Sequence, residues 1–233
     1  MGVLYESTRG LLSVNMGASA STVAAGFNGE LTLGVYPQFG LGENLGAILQ
    51  HTEIEQIMRW MQLDISSNTL REFLFQKSLY PSTIPATQDE LAIMQAITRQ
   101  ALYLAVRAAR TNFPASAHAA RTDLMPKLDL LIAGGGAIAD NGSVGQSLLL
   151  LLDAIQPVGI MPFLLDQNNL LPMLGAAATR SNYLPVQVIE SGAFIGMGTV
   201  VSVIASASYG ETVLRAKLTY ADKTEVRADV KFG

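Results

Sequence analysis

The 233-residue chain contains no cysteine, few charged side chains and no long apolar run. Without cysteine it can form neither a disulfide framework nor a thiolate metal site. Charged residues make up 15% of the sequence, and the formal net charge is -4. Because Lys and Arg are also scattered along the chain, we expect no binding to nucleic acid or to an anionic membrane. The longest apolar run, at 148–152, is far shorter than the roughly 20 residues that span a bilayer.

Histidine and targeting signals are scarce as well. His51 and His118 are the two histidines, and neither has a partner at the spacing of metal ligands, so we expect surface or capping roles for both. The first residues lack the charged and apolar regions of a secretory signal. A hydrophobic content of 49% predicts a large buried core. We therefore expect a soluble, cytoplasmic protein without a metal site built from its own side chains.

The first forty residues predict an antiparallel meander. Three short apolar or β-branched segments, at 11–16, 21–27 and 30–36, are separated by a Gly-Ala-Ser-Ala loop and by Asn28-Gly29. Asn-Gly is typical of a type I′ hairpin turn, because both central residues of that turn need a positive φ.

A helical region follows the meander. Apolar residues at helical spacing predict short helices around 54–61 and 70–74, and these stripes are interpreted as core packing. Thr87 and Glu90 match a capping box, in which two side chains reciprocally satisfy backbone N–H groups. The helix that they begin is predicted to span 88–110. Its buried face is predicted to comprise Leu91, Met94, Thr98, Ala101, Leu102 and Ala105.

The rest of the chain predicts a β-α-β-α unit and then a strand-rich end. Buried strands are predicted at 128–133 and 159–165, with helices at 144–155 and 170–179, so a parallel strand pair is expected. After residue 182, segments containing VQVIE, TVVSVIASA, ETVLRAKLTY and TEVRADVKF indicate a β-rich appendage with one solvated face.

Three consecutive glycines, Gly134, Gly135 and Gly136, follow the strand predicted at 128–133 and precede a helix. Ligands of α/β sheets usually bind at this position, and glycine lets backbone approach them closely. A tight turn without a ligand is the alternative. A role in ligand approach predicts that Gly135→Val abolishes nucleotide binding and leaves the thermal midpoint nearly unchanged.

Two common nucleotide motifs do not fit these glycines well. They satisfy a relaxed dinucleotide-binding pattern, which expects an acid at the end of the second strand, about 20 residues on. Asp153 has nearly that spacing but falls in a predicted helix, and the strand-terminal Asp166 comes later. The chain also contains no P-loop sequence.

A second segment of small residues is the hairpin loop that starts at Gly17. Its backbone amides, together with the hydroxyls of Ser19 and Ser21, occupy a small space that suits an anion. An ordinary Gly/Ser hairpin is the alternative.

The two loops, in this order, resemble the phosphate and adenosine segments of the actin, sugar-kinase and heat-shock-chaperone superfamily. Within it, the chain resembles the accessory protein of glutamate mutase, the GlmL or MutL family. The resemblance is carried by LLDAIQPVG at 151–159 and by an Asp-x-x-x-Leu-Leu-Pro-x-Leu-Gly run that begins at Asp166. Further similarity at 84–93 and 198–222 extends it over nearly the whole chain.

The resemblance implies an α/β fold, with a ribonuclease-H-like, actin-type ATPase half domain at 1–182 and a β-rich C-terminal subdomain at 183–233. It implies a nucleotide-binding accessory or reactivating factor for an adenosylcobalamin-dependent mutase, with ATP and Mg²⁺ as cofactors. The hairpin residues would contact phosphate and the glycine triplet would line the adenosine. The residues implied are Gly17, Ser19, Ser21, Thr22, Gly134, Gly135 and Gly136.

Two departures from the family pattern bear on activity. The family hairpin has an acid at each end, where this chain has Asn15 and Thr22. Such carboxylates hold Mg²⁺ or orient the attacking water, so at most a weak ATPase is expected. No Asp-x-Gly-x-Thr hairpin precedes residue 11. We therefore expect the chain to be the C-terminal half of a longer protein. The other half would cover apolar surface of this one, and in its absence we expect the chain to self-associate.

Two rival functions remain. One is a non-enzymatic scaffold that keeps the fold without the nucleotide, which the missing acids would suit. The other is a dinucleotide-dependent enzyme. The presence of a single β-α-β unit argues against it.

Overall fold

A six-stranded mixed sheet organises the molecule, with strands in the order β3-β2-β1-β4-β5-β6. The computed structural model describes residues 10–117, 124–181, 183–220 and 222–232. The chain is an α/β protein, as the sequence predicted. The strands of this sheet are β1 (Gly10–Met16), β2 (Ser21–Phe27), β3 (Glu30–Tyr36), β4 (Leu130–Gly134), β5 (Gly159–Asp166) and β6 (Ile195–Ser202).

The antiparallel meander is confirmed. β1 pairs with β2, and β2 with β3, both antiparallel. Asn28 and Gly29 connect β2 to β3 with φ values of 49° and 86°. Both turn residues are therefore in the left-handed region, where Asn and Gly are the least strained residues.

The predicted parallel pairing is also confirmed, and it extends to the first strand. β4 pairs in parallel with both β1 and β5. Asn15 lies opposite Gly134 in the register of β1 and β4, so the carboxyl ends of these two strands reach the same edge of the sheet. β6 closes the sheet antiparallel to β5.

The helices connect and cover the strands. The long helix spans the predicted residues, and its N-terminus is partly the predicted capping box. Thr87 Oγ1 accepts the N–H of Glu90 at 3.1 Å, whereas the Glu90 carboxylate accepts the N–H of Ala86 instead of that of Thr87. The helices are α1 (Ile54–Met58), α2 (Ser67–Leu79), α3 (Gln88–Arg110), α4 (Gly136–Ala139), α5 (Val144–Ile155), α6 (Leu171–Ala178) and α7 (Tyr183–Glu190).

The two faces of the sheet have separate apolar clusters. Alternate strand residues such as Leu12 and Leu131 pack with α1 to α5 in the main core. The residues between them, such as Leu11 and Ile132, point to the opposite face because side chains alternate along a strand. There they pack near Leu174 of α6.

The C-terminal region departs from the sequence prediction in two places. The VQVIE segment, expected in a strand-rich region, lies in helix α7, and the TVVSVIASA segment contributes to β6 of the main sheet. The remaining segments form an antiparallel hairpin of β7 (Thr212–Thr219) and β8 (Glu225–Lys231). The division at residue 182 into two domains stays a prediction.

The β7–β8 hairpin is solvated on both faces, where the sequence predicted one. A register shift after Thr212 places Leu214, Ala216 and Leu218 on one face. Leu218 and Val226, which pair across the hairpin, remain 48% and 44% exposed.

His51 is exposed, as predicted. The centroids of its ring and the ring of Phe39 are 5.2 Å apart in an edge-to-face arrangement. His118 lies outside the described residues. Among the helices of the described residues, none combines the length and the apolarity that crossing a bilayer requires.

Candidate functional site

The two segments of small residues meet at one edge of the sheet. The hairpin loop follows β1, the glycine triplet ends β4, and these strands are parallel neighbours. The chain leaves β1 toward β2 on one side and leaves β4 toward β5 on the other, so this edge is a topological switch point. Crevices at such points are where α/β sheets bind ligands.

A cavity of about 1010 Å³ opens at this edge. Its volume is at the upper end of the range for small-molecule sites. Parts of four segments surround it: the end of β1 with the β1–β2 loop, Leu41 after β3, the stretch from the end of α2 through the first turns of α3, and the residues from α4 to α5. Lining residues from these segments include Gly17, Ala18, Lys77, Thr83, Leu91, Met94, Gly136, Asp140 and Asn141.

The predicted site residues divide into two groups. Gly17 and Gly136 line the cavity, which brings the two predicted segments into one site. The other predicted residues lie outside the lining, and their contacts with a nucleotide stay predictions. They are Ser19, Ser21, Thr22, Gly134 and Gly135.

Gly135 has a structural reason to be glycine. Its φ is +93°, and a Cβ there would lie 2.4 Å from the carbonyl oxygen of Met16. Both the backbone conformation and the contact with β1 exclude a side chain. The structure therefore predicts the opposite of the sequence expectation for Gly135→Val, namely a large loss of stability.

Gly136 differs from its neighbour. A Cβ at this position would approach no atom closer than Asp140 Oδ2, at 3.6 Å, which is an ordinary contact. The residue is exposed and lines the cavity. A side chain at 136 would consequently enter the space that a ligand could use, without straining the fold.

The β1–β2 loop is held in place by the segment that follows β3. The N–H groups of Leu41 and Gly42 donate to the carbonyl oxygens of Gly17 and Ala18 at 3.0 and 2.8 Å. Within the loop, the N–H of Gly17 donates to Ala20 O at 3.1 Å. These backbone hydrogen bonds fix the loop that borders the cavity.

The hydroxyl-bearing residues of the hairpin have different environments. Ser21 is fully buried, and its hydroxyl donates to the carbonyl oxygen of Phe39 at 2.6 Å. Ser19 is exposed at the tip of the loop, and Thr22 is half-buried on the face of β2 opposite to Ser21. Ser21 thus holds the loop segment against the residues after β3.

Lys77 supports a second wall of the cavity. Its side chain is 9% exposed, and its ammonium donates to the carbonyl oxygens of Pro81, at 2.8 Å, and of Thr83. Burial lowers the pKa of Lys77 below its ordinary value of 10.5. The segment at 81–87 is mostly exposed and crosses from α2 to α3, so Lys77 ties this segment to the body of the protein.

Helix α3 contributes an apolar wall that the sequence assigned to the core. Thr98, Ala101, Leu102 and Ala105 are buried as predicted. Leu91 and Met94, by contrast, are half-buried and line the cavity. Periodicity alone could not distinguish a core contact from a cavity wall, because both lie on the same face of the helix.

Acidic residues are sparse at the site. Asn15, at the position of a family acid, donates from Nδ2 to Asn169 Oδ1 at 2.7 Å. Asp140 lines the cavity and is exposed. Within the described residues, no group of three or more His, Asp or Glu side chains could hold a metal ion.

Sequence reasoning missed several cavity residues. Lys77, the 81–87 segment, Asp140 and Asn141 belong to no recognised motif, and only tertiary packing brings Lys77 and the 81–87 segment to the same cavity as Gly136. A modest signal existed for the 81–87 segment, since two prolines in PSTIPAT, just before a capped helix, indicate an ordered connection.

Fold and cavity together define an α/β protein with a ligand-sized crevice at the switch point of a mixed sheet. A family model described as MutL protein matches residues 10–192 of this chain. The match covers well over half of the sequence, so the chain belongs to the MutL protein family, the glutamate mutase accessory family that the residue patterns indicated. A search of curated proteins finds no match.

Proposed function

We propose that the chain is the nucleotide-binding domain of an accessory factor for an adenosylcobalamin-dependent mutase. Family membership supports the accessory role. The observation that carries nucleotide binding is the convergence of the Gly17 loop and the Gly136 turn on one cavity of about 1010 Å³. Two turns with small or no side chains, on the border of a large crevice, can contact both ends of an extended ligand such as ATP.

The strand order supports an actin-type half domain. Its first five strands run β3-β2-β1-β4-β5, with β2 antiparallel to the others in the core of the sheet. This arrangement is the one expected of a ribonuclease-H-like domain and so supports that part of the proposal. A doubly wound dinucleotide-binding sheet would instead be mostly parallel, which argues against a dinucleotide-dependent enzyme.

The composition of the walls orients the proposed nucleotide. The loop that follows Gly17 suits phosphate oxygens, because its side chains are small and it is fixed by hydrogen bonds. The N–H of Gly17 is already bonded to Ala20 O, so the next amides of the loop, beginning with that of Ala18, would be the donors. Leu91 and Met94 offer an apolar surface that suits the flat face of a base. The base therefore lies on the α3 side and the triphosphate on the β1–β2 side.

Binding with little hydrolysis is the proposed activity. Asn15 replaces a carboxylate and is held by Asn169, and an amide binds Mg²⁺ more weakly than a carboxylate does. Neither Asn15 nor Thr22 can act as the base that activates water. Mg²⁺ would be bound mainly by the phosphates of ATP. Binding of the nucleotide would regulate the contact with the mutase, and ATP would be hydrolysed only slowly.

Isothermal titration of the protein with ATP·Mg²⁺ tests nucleotide binding, with two glycine variants for comparison. The wild type is expected to bind one ATP with a Kd below about 1 mM. Gly136→Leu places a side chain in the cavity and is expected to weaken binding at least about tenfold. Gly175→Leu adds the same side chain in α6, where a Cβ has open space around it, and should bind ATP like the wild type.

Two results would contradict the proposal. The first is the lack of saturable ATP binding by the wild type, which would leave the non-enzymatic scaffold as the better account. The second is equal ATP affinity in the wild type and in Gly136→Leu, which would place any binding outside this cavity.

A further inference from the structure

Asn141 has a buried amide group without a partner. The residue is 3% exposed, and its Nδ2 is the one buried side-chain nitrogen or oxygen in the described part of the chain that makes no hydrogen bond. An unpaired buried donor is unfavourable, because it has lost its hydrogen bonds to water and gained none in return. Such groups are rare in folded proteins and call for a physical reason.

The position of Asn141 supplies a reason. The residue lies in the cavity wall between Asp140 and Gly142, which also line the cavity. A Cβ at Gly142 would lie 3.7 Å from Leu91 Cδ2, so this part of the wall adjoins the apolar surface of α3. The unpaired donor thus belongs to a residue of the wall that faces the proposed base. Because the Nδ2 atom is itself buried, the amide has to turn toward the cavity when a ligand supplies the acceptor.

The charge of this wall selects the kind of acceptor. Asp140 is exposed at the cavity next to Asn141, and a carboxylate disfavours a phosphate group nearby. A neutral acceptor, such as a ring nitrogen of a base or a ribose oxygen, experiences no such repulsion. Asn141 Nδ2 is a neutral donor that matches such an acceptor.

We propose that Asn141 donates from its side-chain amide to the nucleoside part of the ligand and so positions the base against α3. This assignment rests on the proposed nucleotide-binding function. It makes Asn141 a ligand-binding residue whose amide is kept at the expense of stability, and that distinguishes it from a residue retained for folding.

The experiment compares the wild type, Asn141→Leu and the control Asn168→Ala in binding and in thermal stability. Leu has the same number of side-chain heavy atoms as Asn, branched at the same position, without the polar groups, whereas Asn168 is exposed and outside the cavity lining. ATP·Mg²⁺ binding is measured by titration calorimetry. Adenosine binding is measured by displacement of a fluorescent ATP analogue.

The expected result separates binding from stability. Asn141→Leu should bind both ATP and adenosine about tenfold more weakly, which is the effect of losing one well-formed hydrogen bond. Its thermal midpoint should stay unchanged or rise by about 3 °C, because an unpaired buried donor is removed. Asn168→Ala should match the wild type in both measurements.

Several outcomes would overturn the inference. If Asn141→Leu keeps full affinity while the wild type binds ATP, the inference fails and the proposed function stands. If ATP binding weakens but adenosine binding does not, the contact is with phosphate and the nucleoside assignment fails. If the wild type binds neither ligand, both the inference and the proposed function fail.

Asn141→Ala provides a second variant in case the leucine does not fit. It also removes the donor, and the same loss of affinity for ATP and adenosine is expected. Full affinity for ATP and adenosine in a folded Asn141→Ala, or failure of both variants to fold, would assign Asn141 to the stability of the protein and overturn its role in binding.

Discussion

Neighbouring glycines at this site have different physical reasons for being glycine. At Gly135, a positive φ of +93° and a Cβ position 2.4 Å from Met16 O both exclude a side chain. At Gly136, which lines the cavity, a Cβ would make only an ordinary contact. One glycine therefore allows β4 to turn against β1, while the other leaves space for a ligand.

Gly135→Ala is expected to lower the free energy of unfolding by about 3 kcal/mol, because a strained φ and a clash with backbone add together. Urea denaturation measures the change. Gly175→Ala is the matched control: that glycine is in α6 with open space around its Cβ, so alanine should be neutral or stabilise by up to about 1 kcal/mol. Equal stability of Gly135→Ala and the wild type would contradict the backbone role.

The charge of Lys77 gives a pH-dependent prediction. Burial lowers its pKa from 10.5 in the folded state, so the unfolded state binds the proton more tightly. Stability then rises with pH between the lowered folded pKa and 10.5. We expect the wild type to gain stability relative to Lys77→Met as the pH approaches 10.5, measured by urea denaturation at several pH values. A stability difference that stays flat or falls would contradict this account.

The sequence predicted the roles of single residues at positions where the backbone conformation restricts the residue type. Asn28-Gly29 has the turn conformation that its residue types require. Gly17 and Gly136 reach one cavity because each follows a parallel strand of the same sheet. Asn141 could not be identified, since its significance lies in an unpaired amide that only the packing around it reveals.

At the scale of secondary structure, a buried carboxylate at the end of β5 anchors the first turn of α6. Asp166, at the end of β5, is fully buried, and its two carboxylate oxygens accept the N–H groups of Leu170 and Leu171 at 2.8 Å each. These donors belong to the first turn of α6, where N–H groups have no partner inside the helix. A carboxylate there also interacts favourably with the helix dipole.

Asp166→Asn is expected to lower the free energy of unfolding by about 2 kcal/mol, because its NH₂ group would face a backbone N–H and leave it unpaired. The measurement is urea denaturation followed by circular dichroism. Asp64→Asn provides the control, since Asp64 is exposed and should change stability by less than about 0.5 kcal/mol. A similarly small effect at Asp166 would show that α6 does not depend on this carboxylate.

Elements with strong local signals were predicted accurately, and those with conflicting signals were not. α3 spans the predicted residues because the N-cap and the apolar periodicity agree. α7 was missed because VQVIE alternates like a strand and is rich in β-branched residues, which are favoured in sheets. Tertiary contacts with α6 decide its conformation, and local propensity does not show them.

For the whole molecule, one large apolar surface lacks a cover in the described residues. Leu31, Leu33 and Val35 project from β3 on the face opposite the main core and are 72%, 66% and 57% exposed. β3 is also an edge strand of the sheet. Exposed apolar edge strands favour association with another chain.

Leu33→Lys is therefore expected to reduce self-association, which sedimentation equilibrium measures as average mass against protein concentration. The mass of the wild type should rise with concentration, and that of Leu33→Lys should rise much less because a charge at the edge opposes pairing. Leu79→Lys, at an exposed leucine at the end of α2, serves as the control. A monomeric wild type, or an equal effect in both variants, would contradict the association through β3.

The general architecture was predictable, and the assignment of its C-terminal part was not. A meander followed by a β-α-β unit fixes an α/β sheet with a parallel pair. The joining of β6 to β5 was not foreseen, because antiparallel pairing across a long connection leaves no local pattern. The cavity likewise results from four segments far apart in the sequence. Only two of these segments were predicted, and both were recognised by their glycines.

The most direct test of nucleotide binding at this site is a ¹H–¹⁵N correlation spectrum of the protein titrated with ATP·Mg²⁺. We predict saturable shifts in the amides of Gly17, Gly136 and Asn141, with the β7–β8 hairpin unaffected. An unchanged spectrum at saturating ATP, or shifts confined to residues outside the cavity, would contradict the proposal that the two glycine-containing turns form one nucleotide site.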